Sequence, residues 1–106
     1  MRWLEIIDVE PAGPKEKTRI IELCSKILIP RTARLTIYEE SLNNELSIHI
    51  LWESRSVPQG GRSELGRELS RVISDHGLVA HTFWVEGNRS KLREQLDHSV
   101  PEEGKS

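Results

Sequence analysis

Two runs of alternating side chains, residues 33–42 and 45–54, flank Asn43-Asn44, and this hairpin signature constrains the fold more than any other stretch. Asparagine tolerates positive φ, so the pair suits a two-residue turn between antiparallel strands. Counting outward from that turn places Leu42 opposite Glu45, Tyr38 opposite His49, Ile37 opposite Ile50, Leu35 opposite Trp52 and Arg34 opposite Glu53. Cross-strand partners share a face. One face then carries Leu35, Ile37, Leu46, Ile48, Ile50 and Trp52. The other carries Arg34, Thr36, Tyr38, Ser47, His49, Leu51 and Glu53, with Arg34 and Glu53 matched in charge.

The flanking segments alternate between the two periodicities. Residues 2–9 read as a strand, closed by Pro11, Gly13 and Pro14. Lys15–Leu28 puts Ile20, Leu23, Cys24, Ile27 and Leu28 on one helical face, and Pro30 stops it. After a loop from Ser54 to Arg62, Ser63 is a natural N-cap for a helix striped with Leu65, Leu69, Val72 and Ile73. His76 is expected in its last turn and Gly77 at its C-terminal stop. Residues 78–86 form the last strand, Ser90–Leu96 suits a short helix, and the tail from Asp97 onward is expected to fray. With 106 residues there is room for one domain, assigned to residues 1–96, followed by a tail over 97–106. The order β-α-β-β-α-β is the ferredoxin-like α+β arrangement. Right-handed crossovers give a four-stranded antiparallel sheet of order 4-1-3-2 with both helices on one face.

Composition narrows the function. The chain is 36% hydrophobic and 30% charged with a net charge of −2, so no global field attracts nucleic acid or an anionic membrane. RNA binding through the sheet would need exposed aromatics amid positive charge, and the third strand offers Ser47, His49 and Leu51 instead. No apolar run is long enough to span a bilayer. The start, Met-Arg-Trp-Leu-Glu, lacks a signal-peptide pattern, from which a cytoplasmic location is expected. A single cysteine, Cys24, excludes an internal disulfide framework and a multi-cysteine zinc site. It lies in an apolar stripe, where a thiol behaves as a small hydrophobe rather than a nucleophile.

Helices on one side leave the other side of the sheet to meet water, a ligand or another chain. The first and last strands are apolar in both alternating sets, which suits burial on both faces. The economical expectation is a homodimer through the open face, enclosing a partly polar cavity. The element order over residues 2–86, with the strand Ile48-His49-Ile50-Leu51-Trp52-Glu53-Ser54 leading to the second helix, resembles the dimeric α+β barrel superfamily, which includes antibiotic-biosynthesis-type monooxygenases. That resemblance implies a small dimeric domain, with enzymes, regulators and nucleic-acid binders all known on such a fold. The Asn-Trp-His set of the haem-degrading members does not map onto this chain residue by residue, and no cofactor is expected.

Two places could carry chemistry. Tyr38 and His49 form the catalytic candidate on the open face: histidine exchanges protons near neutrality, and a phenol can donate to a developing oxyanion. Alternation leaves the faces of Glu5 and His81 open; on the open face they would join this pair, and a metal-binding variant would combine His49, His81 and Glu5, although compact ligand spacing is missing and no metal is expected. The other candidate is an anion site on the loop opening the second helix, with Gly60, Gly61, Arg62 and Ser63 supplying backbone N–H groups and charge, and Arg55 nearby. The spacing is not that of a phosphate-binding P-loop. The topology gathers Arg2, Arg31, Arg55, Arg62 and Arg89 at one end of the sheet, with Trp3, Trp52 and Trp84. It gathers Asp8, Glu10, Glu39, Glu40 and Glu45 at the other. A small anionic or aromatic ligand suits the basic end. The sequence thus points to a homodimer that binds a small molecule, with cofactor-independent oxygenase or isomerase chemistry as its enzymatic form; the alternative is a non-catalytic ligand-sensing or protein-interaction module.

Overall fold

The computed structural model describes residues 2–53 and 62–86. Its elements are β1 (Arg2–Pro11), α1 (Pro14–Lys26), β2 (Ala33–Glu39), β3 (Leu46–Glu53), α2 (Glu64–Ile73) and β4 (Gly77–Val85). The strands form one antiparallel sheet in the order β2-β3-β1-β4, so the chain has the expected ferredoxin-like α+β fold. Both helices pack on one face, over a core that includes Ile7, Ile20, Ile48, Ile50 and Ile73, all fully buried.

Local chemistry explains the boundaries. Pro14 occupies the first turn of α1, where a missing N–H costs nothing, and the Gly13 carbonyl accepts from Lys17 N at 3.0 Å. β1 runs on through Pro11 rather than ending at Val9. Ala12 N bonds across to His76 O at 2.9 Å, so alternation points the Pro11 nitrogen the other way, past Leu46, where β3 has already begun its pairing at Val9. A proline is tolerated at such a free edge.

The end of α2 departs from expectation. α2 ends at Ile73 rather than at His76, and Ser74 takes the C-cap position with its N–H on Ser70 O. His76 N bonds to Ile73 O at 2.8 Å in the turn that follows, and Gly77 starts β4 instead of stopping the helix. Gly77 is required there because a Cβ would stand 2.4 Å from the Glu10 carbonyl oxygen.

The hairpin register also differs. Tyr38 pairs with Ser47, Leu35 with Ile50 and Arg34 with Leu51, a slip of two residues from the expected pairs. The turn is longer than two residues: Glu40 N bonds to Glu45 O at 3.0 Å, and the Glu40 carboxylate accepts from Leu42 N and Asn43 Nδ2 at 3.3 Å each. Because side chains alternate with period two, this slip keeps every residue on its expected face while dissolving the Arg34–Glu53 match. Arg2 is opposite Glu53, and its guanidinium bonds Glu86 at 3.2 Å.

Candidate functional site

The registers sort the sheet into two faces. Trp3, Glu5, Ile7 and Val9 share the helix-covered face with Trp52, Ile50, Ile48, Phe83 and His81. Leu4, Ile6 and Asp8 share the open face with Leu51, His49, Ser47, Trp84, Thr82 and Ala80.

Tyr38 and His49 lie together on that open face as expected, ring centroids 4.7 Å apart and planes inclined at 59°. His49 Nε2 is 3.0 Å from Ser47 Oγ, and Tyr38 remains 54% exposed. To one side of this polar pair, with no described element above them, Leu4, Ile6 and Leu51 are half-buried and Trp84 is exposed, while exposed Leu78 lies apart, opposite Glu10. A groove of about 490 Å³ runs from Tyr38 and Ser47 to Asp8, Glu10, Glu40 and Glu45, so the acidic end exists as expected. At the opposite end Arg2, Arg31 and Arg34 line a cavity of about 250 Å³.

Glu5 and His81 are not beside Tyr38 and His49. They face the helices, and this corrects both the four-residue grouping and its metal-binding variant, since His49 points away from the other two across the sheet. Glu5 is fully buried and heavily bonded. Its Oε1 accepts from Trp52 Nε1 at 2.9 Å and from the Ser63 hydroxyl; its Oε2 accepts from Ser63 N at 2.8 Å and lies 3.0 Å from His81 Nε2. Ser63 caps α2 as expected, its oxygen taking the Gly66 N–H at 2.8 Å. Glycine at position 66 is a condition of the arrangement: a Cβ there would lie 2.3 Å from Glu5 Oε2. Among the described residues no His, Cys, Asp and Glu group has the geometry to hold a metal ion.

The anion-site residues fare differently. Gly60, Gly61 and Arg55 lie outside the described residues, as do Arg89, the helix expected over 90–96 and the tail. Ser63 gives both its N–H and its hydroxyl to Glu5, so the carboxylate drawn to this helix N-terminus belongs to the chain itself. Arg62 is exposed, with Nη2 3.3 Å from the His81 carbonyl oxygen.

The tryptophans divide. Trp3 and Trp52 stack in the interior at 5.1 Å, whereas Trp84 is 61% exposed on the open face. Cys24 is buried in α1, and desolvation pushes its thiol up to about 11, which agrees with a packing role. No described helix is long and apolar enough to cross a membrane.

No family model matches the chain, and no curated protein does. Its fold is similar to that in the solved structure of Rv0793 from Mycobacterium tuberculosis, at a TM-score of 0.59 and 16% identity, covering 83% of this chain and 97% of that one. At that identity the likeness establishes the shared fold alone.

Proposed function

We propose that the protein is a homodimer built through its open sheet face, enclosing a small-molecule site centred on Tyr38 and His49. The observation carrying this reading is the uncovered apolar row of Leu51, Leu4 and Trp84 across three strands, with Ile6 beside it, next to a polar pair on the same face. Contiguous exposed apolar surface of this kind is usually covered by a partner. A second copy fits the charge pattern. A two-fold axis in the contact plane, perpendicular to the strands, lays the end bearing Arg2 and Arg34 over the end bearing Asp8, Glu10 and Glu45 of the other protomer. Opposed charge at both ends fixes the orientation of the pair.

Within the enclosed space His49 exchanges a proton with a bound substrate, while the Tyr38 hydroxyl donates to the oxygen on which charge develops. Small phenolic or carbonyl compounds suit that pair, and isomerisation or cofactor-independent oxygenation are reactions that need such proton transfer. The resemblance to dimeric α+β barrel proteins supports the same assembly. Sedimentation equilibrium tests the dimer: a mass of two chains is expected, and a chain that stays monomeric at about 100 μM overturns the reading. Thermal shifts with a panel of small phenols and aromatic carboxylates test the site. His49→Ala and Tyr38→Phe are expected to abolish any shift seen with the wild type.

A further inference from the structure

Behind the sheet, on the face away from Tyr38 and His49, three side chains form a line from the interior to the edge. Glu5 Oε2 is 3.0 Å from His81 Nε2, and His81 Nδ1 is 3.3 Å from Ser70 Oγ. The elements that hold them are independent: β1 carries Glu5, β4 carries His81, and α2 carries Ser70.

The hydrogen-bond inventory sets the direction of the line. Glu5 takes the Trp52 indole N–H, the Ser63 N–H and the Ser63 hydroxyl, which is the pattern of an accepting carboxylate. Its remaining contact is therefore an N–H donated by His81 Nε2. A neutral imidazole protonated at Nε2 has its lone pair on Nδ1, and that lone pair faces the Ser70 hydroxyl. Carboxylate, oriented imidazole and hydroxyl thus stand in the order that activates a serine, an arrangement recognised by geometry and roles rather than by position in a chain. Glu5 is fully buried and His81 has only 6% of its side chain exposed, whereas Ser70 is half-buried, so the hydroxyl is the member nearest solvent. Arg62, held against the carbonyl oxygen of His81, brings an exposed cation to the same residue.

We propose that Ser70 is a nucleophile toward small activated acyl esters, favouring those that carry an anionic group for Arg62. In the first step Ser70 Oγ bonds to the acyl carbon as its proton passes to His81 Nδ1, and the ester C–O bond breaks with the leaving oxygen taking that proton. Water then attacks the acyl-serine, giving a proton to His81, which returns it to Ser70 Oγ as the carboxylic acid departs. Glu5 is a positioning residue throughout, fixing the tautomer and opposing the charge of the transient imidazolium.

The test uses a fluorophosphonate probe on the folded wild-type chain, with the modified residue located by mass spectrometry, alongside release of p-nitrophenol from p-nitrophenyl acetate. Labelling at Ser70 is expected, at least tenfold faster than in urea-unfolded protein, and absent in Ser70→Ala. Exposed Ser74, one turn further on, serves as the internal control and stays unmodified. His81→Gln keeps a donor to Glu5 but supplies no base, and is expected to slow labelling at Ser70 at least tenfold, which a merely accessible hydroxyl would not show. The Ser70 variants bear on this site and leave the proposed dimer mass unaltered, so the two readings fail separately. Equal labelling in folded and unfolded protein, or undiminished ester turnover in Ser70→Ala, overturns the proposal.

Discussion

Replacing Gly66 with alanine tests whether the buried carboxylate organises this fold. A Cβ at position 66 would meet Glu5 Oε2 at 2.3 Å, Cδ at 2.8 Å and Oε1 at 2.9 Å. Ordinary contact begins near 3.4 Å, so Glu5 must retreat by about 1 Å. Retreat stretches its bonds to Ser63 N, at 2.8 Å, and to His81 Nε2, at 3.0 Å, beyond useful length. Hydrogen bonds to charged groups contribute about 1.5–3 kcal/mol each, and buried donors left without a partner add to the loss. Alanine returns about 1 kcal/mol of helix propensity. The net expectation is a destabilisation of about 2–4 kcal/mol, read by urea unfolding at unchanged m-value. The same substitution in a Glu5→Ala background should cost less than about 0.5 kcal/mol, because the obstacle is gone. Equal costs in the two backgrounds, or a Gly66→Ala single variant as stable as the wild type, would refute the reasoning.

Further outcomes follow from the same contacts. Ser63→Ala removes the α2 cap and a donor to Glu5, and should cost about 2 kcal/mol in chemical unfolding, at the upper end for capping residues. Ile48→Ala, in the centre of the core, should cost about 2–5 kcal/mol by the same assay. Leu51→Arg introduces charge into the open face and should halve the sedimentation mass without lowering stability by more than about 1 kcal/mol. Cys24 has its folded pKa raised from 9.0 to about 11, so the neutral thiol is favoured in the native state. Its contribution is intact below pH 9 and is lost as pH rises from 9 through 11, while the unfolded thiol ionises first. Cys24→Ala should therefore show a shallower alkaline fall in stability than the wild type.

The element order and the faces of β2 and β3 were legible because strict alternation and turn chemistry agree there, and a slip of two residues leaves faces untouched. The register itself was not: the Asn43-Asn44 turn is organised by the Glu40 side chain, whose reach to Leu42 N and Asn43 is not a pattern of residue types. In β1 both alternating sets contain large apolar residues, so hydrophobicity alone could not orient the strand, and a glutamate naturally reads as outward-facing. Glu5 turns inward because the N-terminus of α2 and the Trp52 indole supply donors from distant parts of the sequence. One signal was present: Gly66 lies inside a helix, three residues after its cap, where propensity argues against it and close backbone approach argues for it.

The unequal placement of the three indoles equips the chain with its own optical reporters. The stacked couple formed by Trp3 and Trp52 sits in the interior, and its emission should move to longer wavelength only when the core opens. Trp84 emits from the wet side of the sheet and should shift the opposite way when that side is covered. Dilution and denaturation can thus be followed in one cuvette without a dye, with a Trp84→Phe variant separating the two signals.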